Sequence, residues 1–247
     1  MNIDLNCDMG EGVGNDPAIM PFISSANIAC GYHAGDETIM KRTIQLALQY
    51  NVCIGAHPSF LDRENFGRKE MNLTASEVFD LVLSQIKLLD TIAKTLGAKL
   101  HHVKPHGALY NISARDSFIA KAIAEAVKYF DPELILFGLS GSCSIQQAKE
   151  LGLKTASEVF ADRTYQEDGS LTPRSQPDAL IENTDAAVNQ ALQMIKEKTV
   201  TATTGKKISI IADTICIHGD GKYAAEFALQ IHSTIEKEGI KIQAIGK

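Results

Sequence analysis

Short apolar segments alternate with amphipathic helical segments along almost the whole chain, and this alternation constrains the fold more than any other feature. About seven strands are predicted, at residues 2–7, 26–30, 52–56, 100–104, 134–138, 154–161 and 208–217. The clearest helix starts at the capping box Thr74-Ala75-Ser76-Glu77 and stops at Gly97, with apolar residues at helical spacing between them. Further helices are predicted at residues 36–50, 113–130, 141–151, 184–198 and 222–238. Strands that alternate with helices indicate an α/β protein with a parallel sheet and right-handed crossovers.

The length of 247 residues suits one α/β barrel, a fold that typically takes about 250 residues. An open, doubly wound sheet is the alternative that the same pattern permits. The sequence contains no linker rich in proline and serine, no internal repeat and no low-complexity tract, so residues 1–247 are predicted to form a single domain. Residues 164–177 are the longest irregular stretch, and the turn signal Asp168-Gly169 predicts a loop there.

Composition excludes several classes of function. The formal net charge is −6 and no basic stripe is present, which argues against nucleic acid as a partner. The first residues carry acids and no long apolar run, so neither a signal peptide nor a membrane span is predicted. The 5 cysteines are odd in number and contain no CxxC pair, which indicates reduced thiols in a cytoplasmic protein.

The first predicted strand runs into a polar segment, Asp4-Leu5-Asn6-Cys7-Asp8-Met9-Gly10-Glu11. The alternation of a strand places Asp4, Asn6 and Asp8 on one face. An unpaired carboxylate on a buried face costs roughly several kcal/mol, so these acids indicate either charged partners or a reaction. Taken alone, the segment also fits a polar turn that closes an edge strand.

Similar polar clusters follow most of the other apolar runs, and they include Gly31-Tyr32-His33, His57-Pro58-Ser59, Lys104-Pro105-His106, Asp162-Arg163-Thr164 and His218-Gly219-Asp220. A parallel barrel gathers the carboxyl ends of its strands on one face, where barrel enzymes carry their active sites. The first and last strands of the barrel should also be neighbours. The sequence therefore predicts one cleft that contains Asp8, His57, Lys104, His106, Asp162 and His218.

Together these motifs resemble the LamB/YcsF family. The resemblance spans nearly the whole chain and is carried by residues 4–11, 26–36, 55–60, 103–111, 160–165 with Pro173-Arg174, and 216–220. It implies an irregular seven-stranded parallel β/α barrel, similar to those of the glycoside hydrolase and deacetylase group. It also implies a subunit of the bacterial ATP-dependent 5-oxoprolinase, a hydrolase that acts on a cyclic amide and works with two partner subunits to convert 5-oxoproline to glutamate.

The chemistry of that substrate suggests roles for the polar clusters. A five-membered lactam resists water, so its amide oxygen would first be phosphorylated, and water would then add and open the ring. Asp8, Glu11 and Asp162 are the candidate acids and bases. Lys104 is a catalytic candidate that could pair with Asp8, and we interpret it as a binding charge because 5-oxoproline offers no ketone or aldehyde for a Schiff base. The proton for the leaving nitrogen could be carried by His57, His106 and His218.

Other polar residues are candidates for binding the substrate. Arg163 and Arg174 could hold a carboxylate or a phosphate. For His33, a role in capping or packing the following helix is as reasonable as a role in the reaction. Arg63 and Arg68 are of second rank, because a solvated surface explains them equally well. The remaining substrate-binding candidates are Asn6, Asp36 and Asp220.

ATP is expected as a co-substrate, although the sequence offers no phosphate loop. The nearest match, Thr204-Gly205-Lys206-Lys207, lacks the hydroxyl residue after its first lysine. We therefore expect ATP to bind to a partner subunit, and no cofactor-binding residue is predicted in this chain.

Two other functions fit the same residues. In a metal-dependent deacetylase or amidohydrolase, Asp8 and two of His57, His106 and His218 would hold a divalent ion that activates water. The helical HExxH spacing is absent, so the ligands of such an ion would come from different strand ends. The third hypothesis is a noncatalytic subunit that binds a ligand and regulates its partners.

Overall fold

The computed structural model describes residues 1–219 and 224–247. Its strands are β1 (Asn2–Met9), β2 (Ser25–Ala29), β3 (Cys53–His57), β4 (Leu100–Val103), β5 (Ile135–Leu139), β6 (Lys154–Phe160), β7 (Thr199–Thr201), β8 (Lys207–Ser209), β9 (Thr214–Ile217) and β10 (Lys241–Ile242). Its helices are α1 (Asp16–Ile19), α2 (Glu37–Gln49), α3 (Ala75–Thr95), α4 (Gly107–Arg115), α5 (Ser117–Phe130), α6 (Cys143–Glu150), α7 (Thr184–Lys196) and α8 (Ala224–Lys237). A short 3-10 turn covers Met20–Phe22.

Parallel strands close into a barrel in the order β1-β2-β3-β4-β5-β6-β9, and β9 returns to pair with β1. The register of this closing pair aligns Asp4 with Thr214 and Asn6 with Cys216. The predicted seven-stranded barrel, with its first and last strands adjacent, is confirmed, and the open doubly wound sheet is excluded. The organisation of residues 1–247 as a single domain stays a prediction.

Two short additions lie outside the closed barrel. Strand β10 pairs with the amino-terminal end of β1, where Asn2 aligns with Lys241. Strands β7 and β8 form an antiparallel hairpin, which the sequence did not predict. Strand β10 therefore lies at the end of the barrel opposite the predicted cleft, whereas the hairpin contacts the loop after β6, where the amide of Thr203 donates to the carbonyl of Tyr165.

The predicted helix at residues 113–130 is wrong in its first part. Two helices occupy this region, because the side chain of Asp116 accepts hydrogen bonds from the amides of Phe118 and Ile119 and so starts α5 as its N-cap. The preceding helix α4 already begins at Gly107. By contrast, the capping box that was predicted to start α3 is confirmed, since Thr74 and Glu77 cap each other.

The predicted strand at residues 208–217 is also two separate strands, β8 and β9. The carboxylate of Asp213 accepts a hydrogen bond from the amide of Ser157 at 2.8 Å, and the amide of Asp213 donates to the carbonyl of Ser157. These bonds align the chain with β6 only from Thr214 onward. The apolar run between the two strands includes Ile211, which is 56% exposed, so hydrophobicity alone misled the prediction.

Strand β1 has the alternation that the sequence predicted. Asp4, Asn6 and Asp8 are buried, and the intervening Leu5 and Cys7 belong to the main hydrophobic cluster. Three hydroxyl groups stabilise the buried carboxylate of Asp4, which accepts hydrogen bonds from Ser24, Ser25 and Thr214 at 2.6, 2.8 and 2.6 Å. Burial nevertheless raises the pKa of Asp4.

The polar interior of the barrel is closely packed at β3. A Cβ atom at Gly55 would lie 2.1 Å from Nε2 of His102, so only glycine leaves room for this ring. The His102 ring stacks on Phe137 and donates from Nε2 to Oδ1 of Asn27 at 2.8 Å. Asn27 in turn donates to Oδ1 of Asp8 at 2.9 Å. Gly55 thus permits a chain of hydrogen bonds that orients Asp8.

None of the helices in the described residues is both long and apolar enough to cross a membrane. The longest of these helices, α3, places one apolar face against the barrel and buries Val78, Val82, Ile86 and Leu89. Each such side chain contributes about 1.5–3 kcal/mol when fully buried. The helix therefore stabilises the barrel wall.

Candidate active site

A cleft of ≈ 970 Å³ opens at the carboxyl ends of the barrel strands. The predicted residues Asp8, Glu11, His57, Lys104, His106, Arg163, Arg174 and His218 all line it. Tyr110, Arg68 and Arg115 add further polar groups to the same walls. A second cavity of ≈ 340 Å³ lies beside residues such as Val52 and Leu100 at the opposite strand ends, and none of the predicted site residues that the structure describes lines it.

Lys104 is buried on one side of this cleft and has charged partners. Its Nζ atom lies 2.9 Å from Oδ1 of Asp8 and 2.9 Å from Oε1 of Glu158. It also donates to Oδ1 of Asn6 at 3.2 Å and to Sγ of Cys216 at 3.1 Å. Burial alone would lower the pKa of Lys104, but the surrounding acidic groups raise it well above its usual value. The lysine therefore carries a fixed positive charge.

Asp8 connects Lys104 to the histidines of the cleft. Its Oδ2 atom lies 3.3 Å from Nε2 of His57, the last residue of β3. Burial acts to raise the pKa of Asp8, but His57 and Lys104 outweigh burial and hold this pKa well below its usual value. Asp8 is therefore an ionised carboxylate, and its predicted pairing with Lys104 is confirmed.

His33, His57, His106 and Glu11 form a compact group, which we call the histidine cluster. Each member follows a different strand, because Glu11 comes after β1, His33 after β2, His57 ends β3 and His106 comes after β4. The rings of His33 and His106 stack with centroids 3.9 Å apart, and Nε2 of His57 lies 2.9 Å from Nδ1 of His106. Four consecutive strand ends thus converge on one point.

The loop at residues 62–67 packs against the histidine cluster. The carbonyl of Phe66 accepts a hydrogen bond from Nε2 of His106 at 3.0 Å. Gly67 follows with a φ of 65°, and a Cβ atom there would lie 2.9 Å from Cβ of His33. Glycine is therefore required at this position both by its backbone conformation and by the close approach of the ring.

Burial keeps two of the three rings neutral. Burial and the neighbouring His57 lower the pKa of His33 to about 3. Burial, His33 and His57 also lower the pKa of His106 well below its usual value. Both rings therefore offer a nitrogen lone pair at neutral pH.

His218 lines the cleft after β9 and pairs with Asp162, which follows β6 and, unlike the other residues predicted for this cleft, is not one of its lining residues. Nδ1 of His218 lies 2.7 Å from Oδ2 of Asp162, and the ring stacks on Phe160. Burial would raise the pKa of Asp162, but His218, Arg163 and Arg174 lower it. Asp162 therefore remains ionised and orients the imidazole.

Other predicted residues take different positions. Asn6 lies below the cleft, where it donates to Glu158 and Thr214. Asp36 is exposed and caps α2 by accepting from the amide of Ile39, so it belongs to the helix start rather than to the cleft. The capping role considered for His33 is therefore wrong. Asp220 lies outside the described residues.

Of the predicted arginines, some make structural hydrogen bonds and others lie on the protein surface. Arg163 is buried and donates to the carbonyls of Thr172 and Ala179, so it holds the loop that forms one rim of the cleft. Arg174 is exposed on that loop. Arg63 donates to the carbonyl of Gly35. Arg68 lies over the ring of Phe66.

Sequence reasoning missed Glu158, Asn27 and Ser59. Glu158 is fully buried in β6 and is the second carboxylate partner of Lys104. A charged residue inside a predicted apolar strand was the available signal. Asn27 is likewise a polar residue inside a predicted apolar strand. Ser59 belongs to the polar segment that follows β3, but nothing in the sequence indicated that its hydroxyl would contact Nδ1 of His33 at 2.8 Å.

Two groups among the described residues could hold a metal ion. One is the histidine cluster, and the other is formed by Asp8, Cys216 and His218, with the ligand atoms of each group lying within 4.8 Å of one another. The predicted metal ligands were Asp8 and two of His57, His106 and His218. Asp8 and His218 belong to one group, whereas His57 and His106 belong to the other. His218 lies apart from the other two histidines.

A closed parallel barrel that collects acids, bases and cations at the carboxyl ends of its strands has the organisation of a barrel enzyme. The chain belongs to the LamB/YcsF family, whose sequence profile matches residues 3–247. A relative from Tolumonas auensis, which is named as a 5-oxoprolinase subunit, is 52% identical over 248 residues, which cover 98% of this chain and 99% of that protein.

Solved structures agree with the barrel fold. A lactam utilization protein from Thermus thermophilus is 42% identical, superposes with a TM-score of 0.92 and covers 99% of this chain and 100% of its own. A variant of the peptidoglycan deacetylase PdaC from Bacillus subtilis is 12% identical, with a TM-score of 0.51 over 99% of this chain and 87% of its own. The latter similarity concerns the fold alone, and it confirms the predicted likeness to the deacetylase group.

Proposed function

We propose that this chain is a subunit of an ATP-dependent 5-oxoprolinase and that its cleft opens the ring of an activated 5-oxoproline to give glutamate. The observation that carries the proposal is the convergence of acids, bases and cations in one cleft, in a chain that matches a 5-oxoprolinase subunit over nearly its full length. Opening a lactam requires a base for water, a proton for the ring nitrogen and a charge that holds the anionic substrate.

The two sides of the cleft suit different parts of this reaction. His218 is oriented by Asp162 and can carry a proton between water and the ring nitrogen. On the other side, Lys104 and Asp8 form a fixed ion pair that sets the local electric field. Arg174 lies at the rim, where it can contact the carboxylate or phosphate of the substrate. Glu11 lines the same cleft and is the second candidate base.

We place ATP binding on a partner subunit. A phosphate loop joins a strand to the amino end of a helix, whose amides hold the phosphates. The segment Thr204-Gly205-Lys206-Lys207 instead covers the end of the β7–β8 turn and the first residue of β8, and Lys206 pairs with Glu167 at 3.1 Å. This geometry gives no support for nucleotide binding. Two partner subunits, and a cytoplasmic location suited to ATP and to the free thiols of the described cysteines, complete the proposal.

The test is glutamate formation from 5-oxoproline and ATP, measured with and without the partner subunits. The isolated chain should neither hydrolyse ATP nor open the ring, and the complex should do both. In the complex, Lys104→Ala should reduce glutamate formation more than ATP hydrolysis, because activation occurs elsewhere. Lys206→Ala is the matched control and should leave both rates unchanged. ATP-dependent glutamate release by this chain alone would contradict the division of labour.

A metal-dependent deacetylase or amidohydrolase is the second candidate, and the histidine cluster is the observation that favours it. Such an enzyme would cleave an amide without ATP and without partner subunits. The same assay without ATP therefore separates the two candidates. If the complex kept its full rate after Asp8→Asn and Lys104→Ala, the third hypothesis, a noncatalytic regulatory subunit, would replace both.

A further inference from the structure

The outer nitrogen of each ring in the histidine cluster has a defined hydrogen-bond partner. Nδ1 of His57 lies 2.7 Å from the carbonyl of Lys104, and Nε2 of His106 lies 3.0 Å from the carbonyl of Phe66. A carbonyl only accepts, so both of these nitrogens carry a hydrogen. Ser59 donates its own hydroxyl hydrogen to the carbonyl of Phe60, so Nδ1 of His33 donates to Ser59 as well.

These partners determine what the inner nitrogens present. A neutral imidazole carries a hydrogen on only one nitrogen, so with these outer partners the neutral form of each ring holds its lone pair on Nε2 in His33 and His57 and on Nδ1 in His106. These three residues are 2%, 0% and 5% exposed. Two of the lone pairs face each other across 2.9 Å, between His57 and His106. Two neutral rings in these tautomers cannot form a hydrogen bond with each other, so the contact requires either a proton or a metal ion between them.

The carboxylate of Glu11 completes the group. Its Oε1 atom lies 3.3 Å from Nε2 of His33 and 3.5 Å from Nδ1 of His106. Ligands that bind Zn²⁺ tetrahedrally at about 2.0–2.2 Å are separated from one another by roughly 3.3–3.5 Å. The two contacts of Glu11 thus match the spacing of a metal coordination shell, whereas His57 and His106, 2.9 Å apart, would separate slightly on binding an ion.

We propose that Glu11, His33, His57 and His106 bind one divalent transition-metal ion, with Zn²⁺ as the best match to three imidazole nitrogens and one carboxylate oxygen. The outer hydrogen bonds described above are typical of metal-binding histidines, because they fix the ring orientation and increase the basicity of the inner nitrogen. Mg²⁺ and Ca²⁺ are poor matches, since they prefer oxygen ligands.

The other group, Asp8 with Cys216 and His218, is less suited to a cation. The ammonium of Lys104 already lies 2.9 Å from Asp8 and 3.1 Å from Cys216. A divalent ion there would face this positive charge at close range. Nδ1 of His218 is also occupied by Asp162. We therefore assign the ion to the histidine cluster.

A proton is the competing occupant of the cluster. If His57 were an imidazolium, its Nε2 hydrogen could bridge to His106 or to Asp8, and no metal ion would be needed. The ion lies within the proposed active cleft, but its binding can be measured without turnover. Failure of the metal assignment would therefore leave the proposed function standing, and failure of the oxoprolinase assay would not affect the metal site.

The test uses the full chain without a histidine tag. The protein is stripped with a chelator and titrated with Zn²⁺, Co²⁺ and Mg²⁺, with elemental analysis, the visible absorption of Co²⁺ and the melting temperature as readouts. We expect one Zn²⁺ or Co²⁺ per chain, a Co²⁺ absorption typical of four or five ligands, and no comparable response to Mg²⁺.

The variants identify the ligands. Glu11→Gln and His106→Asn should each weaken Zn²⁺ binding by roughly 100-fold or more, because loss of an outer hydrogen bond alone costs about 10–100-fold. Ser59→Ala should fall in that smaller range. His232→Gln is the matched control, since its Nδ1 bonds the carbonyl of Phe22 and its Nε2 lies 3.4 Å from Glu236, but it belongs to neither group.

Two outcomes would overturn the proposal. One is the absence of saturable Zn²⁺ or Co²⁺ binding to the folded wild-type chain, together with nitrogen chemical shifts of His57 that report an imidazolium. The other is binding that survives Glu11→Gln and His106→Asn but is lost in His218→Asn. Circular dichroism of each metal-free variant shows that it is folded, and Glu11→Gln, which preserves size and shape, remains informative if His106→Asn does not fold.

Discussion

Two buried groups lie side by side at the carboxyl end of the barrel, yet their basic side chains have opposite charge states. Around Lys104, the carboxylates of Asp8 and Glu158 each lie 2.9 Å from the ammonium, which remains charged. In the histidine cluster, burial lowers the pKa of His33 to about 3 and leaves the ring neutral. The two groups meet where Asp8 lies 3.3 Å from His57.

The charge states of the two groups differ because of their charged partners, and not because one group is buried more deeply than the other. Acids surround Lys104 in the folded chain, so the attraction between opposite charges outweighs the loss of hydration. For His33 and His106, burial and the repulsion from neighbouring histidines outweigh the attraction of Asp8, so both rings stay neutral. The charges of the first group balance within the group, whereas the neutral rings of the second offer nitrogen lone pairs that suit a metal ion.

The largest expected effect follows from removing the charge at the centre of the first group. Lys104→Met would leave Asp8 and Glu158 buried without their cation, and breaking a buried ion pair in this way costs about 3–5 kcal/mol. Urea unfolding measures this loss. Lys121→Met is the control, because Lys121 is exposed and such changes usually lie within about 0.5 kcal/mol. If Glu158→Gln restored none of the stability lost in Lys104→Met, the charges would not be coupled as described.

The next effect concerns Asp8, which connects the two groups. Asp8→Asn keeps the size of the side chain but removes the charge shared by Lys104 and His57. We expect ring opening by the reconstituted complex to fall by roughly 100-fold, the magnitude typical of a lost preorganised electrostatic contact. ATP hydrolysis should fall less. Turnover close to that of the wild type would mean that ring opening depends on the carboxylate of Glu11 or Asp162 rather than on that of Asp8.

A smaller effect tests how the histidine cluster is held. Gly67 and Gly97 have similar backbone angles, with φ values of 65° and 71°, but only Gly67 has neighbours that a Cβ atom would touch. Gly67→Ala should therefore cost about 1–3 kcal/mol more than Gly97→Ala, because it presses on His33 and His106 in addition to straining the backbone. Equal melting temperatures for the two variants would mean that the loop yields easily and does not position the rings.

Strand periodicity made the barrel and much of the cleft predictable. The alternation in β1 assigned Asp4, Asn6 and Asp8 to the interior, and the polar residues after each strand predicted where Lys104 and His57 would lie. The partner Glu158 was not predictable as such, since its contact with Lys104 depends on the barrel closing through β6 and β9. The lone pairs of the histidine cluster depend on carbonyl and hydroxyl positions, which residue spacing does not encode.

The smallest expected effect comes from the Asp162–His218 pair. This pair combines a carboxylate, as in the group around Lys104, with an imidazole, as in the histidine cluster. Because the folded pKa of Asp162 lies below its usual value of 3.8, the unfolded chain binds more protons at low pH. The stability that this carboxylate contributes is therefore fully present above about pH 4 and is lost as the pH falls through the folded pKa. Asp162→Asn should cost about 1–2 kcal/mol near pH 7, since it weakens one hydrogen bond to a charged group. Urea unfolding of both proteins at successively lower pH should show this difference shrinking below about pH 4. A difference that grew with acidification would mean that Asp162 is protonated in the folded protein and does not orient His218 as a carboxylate.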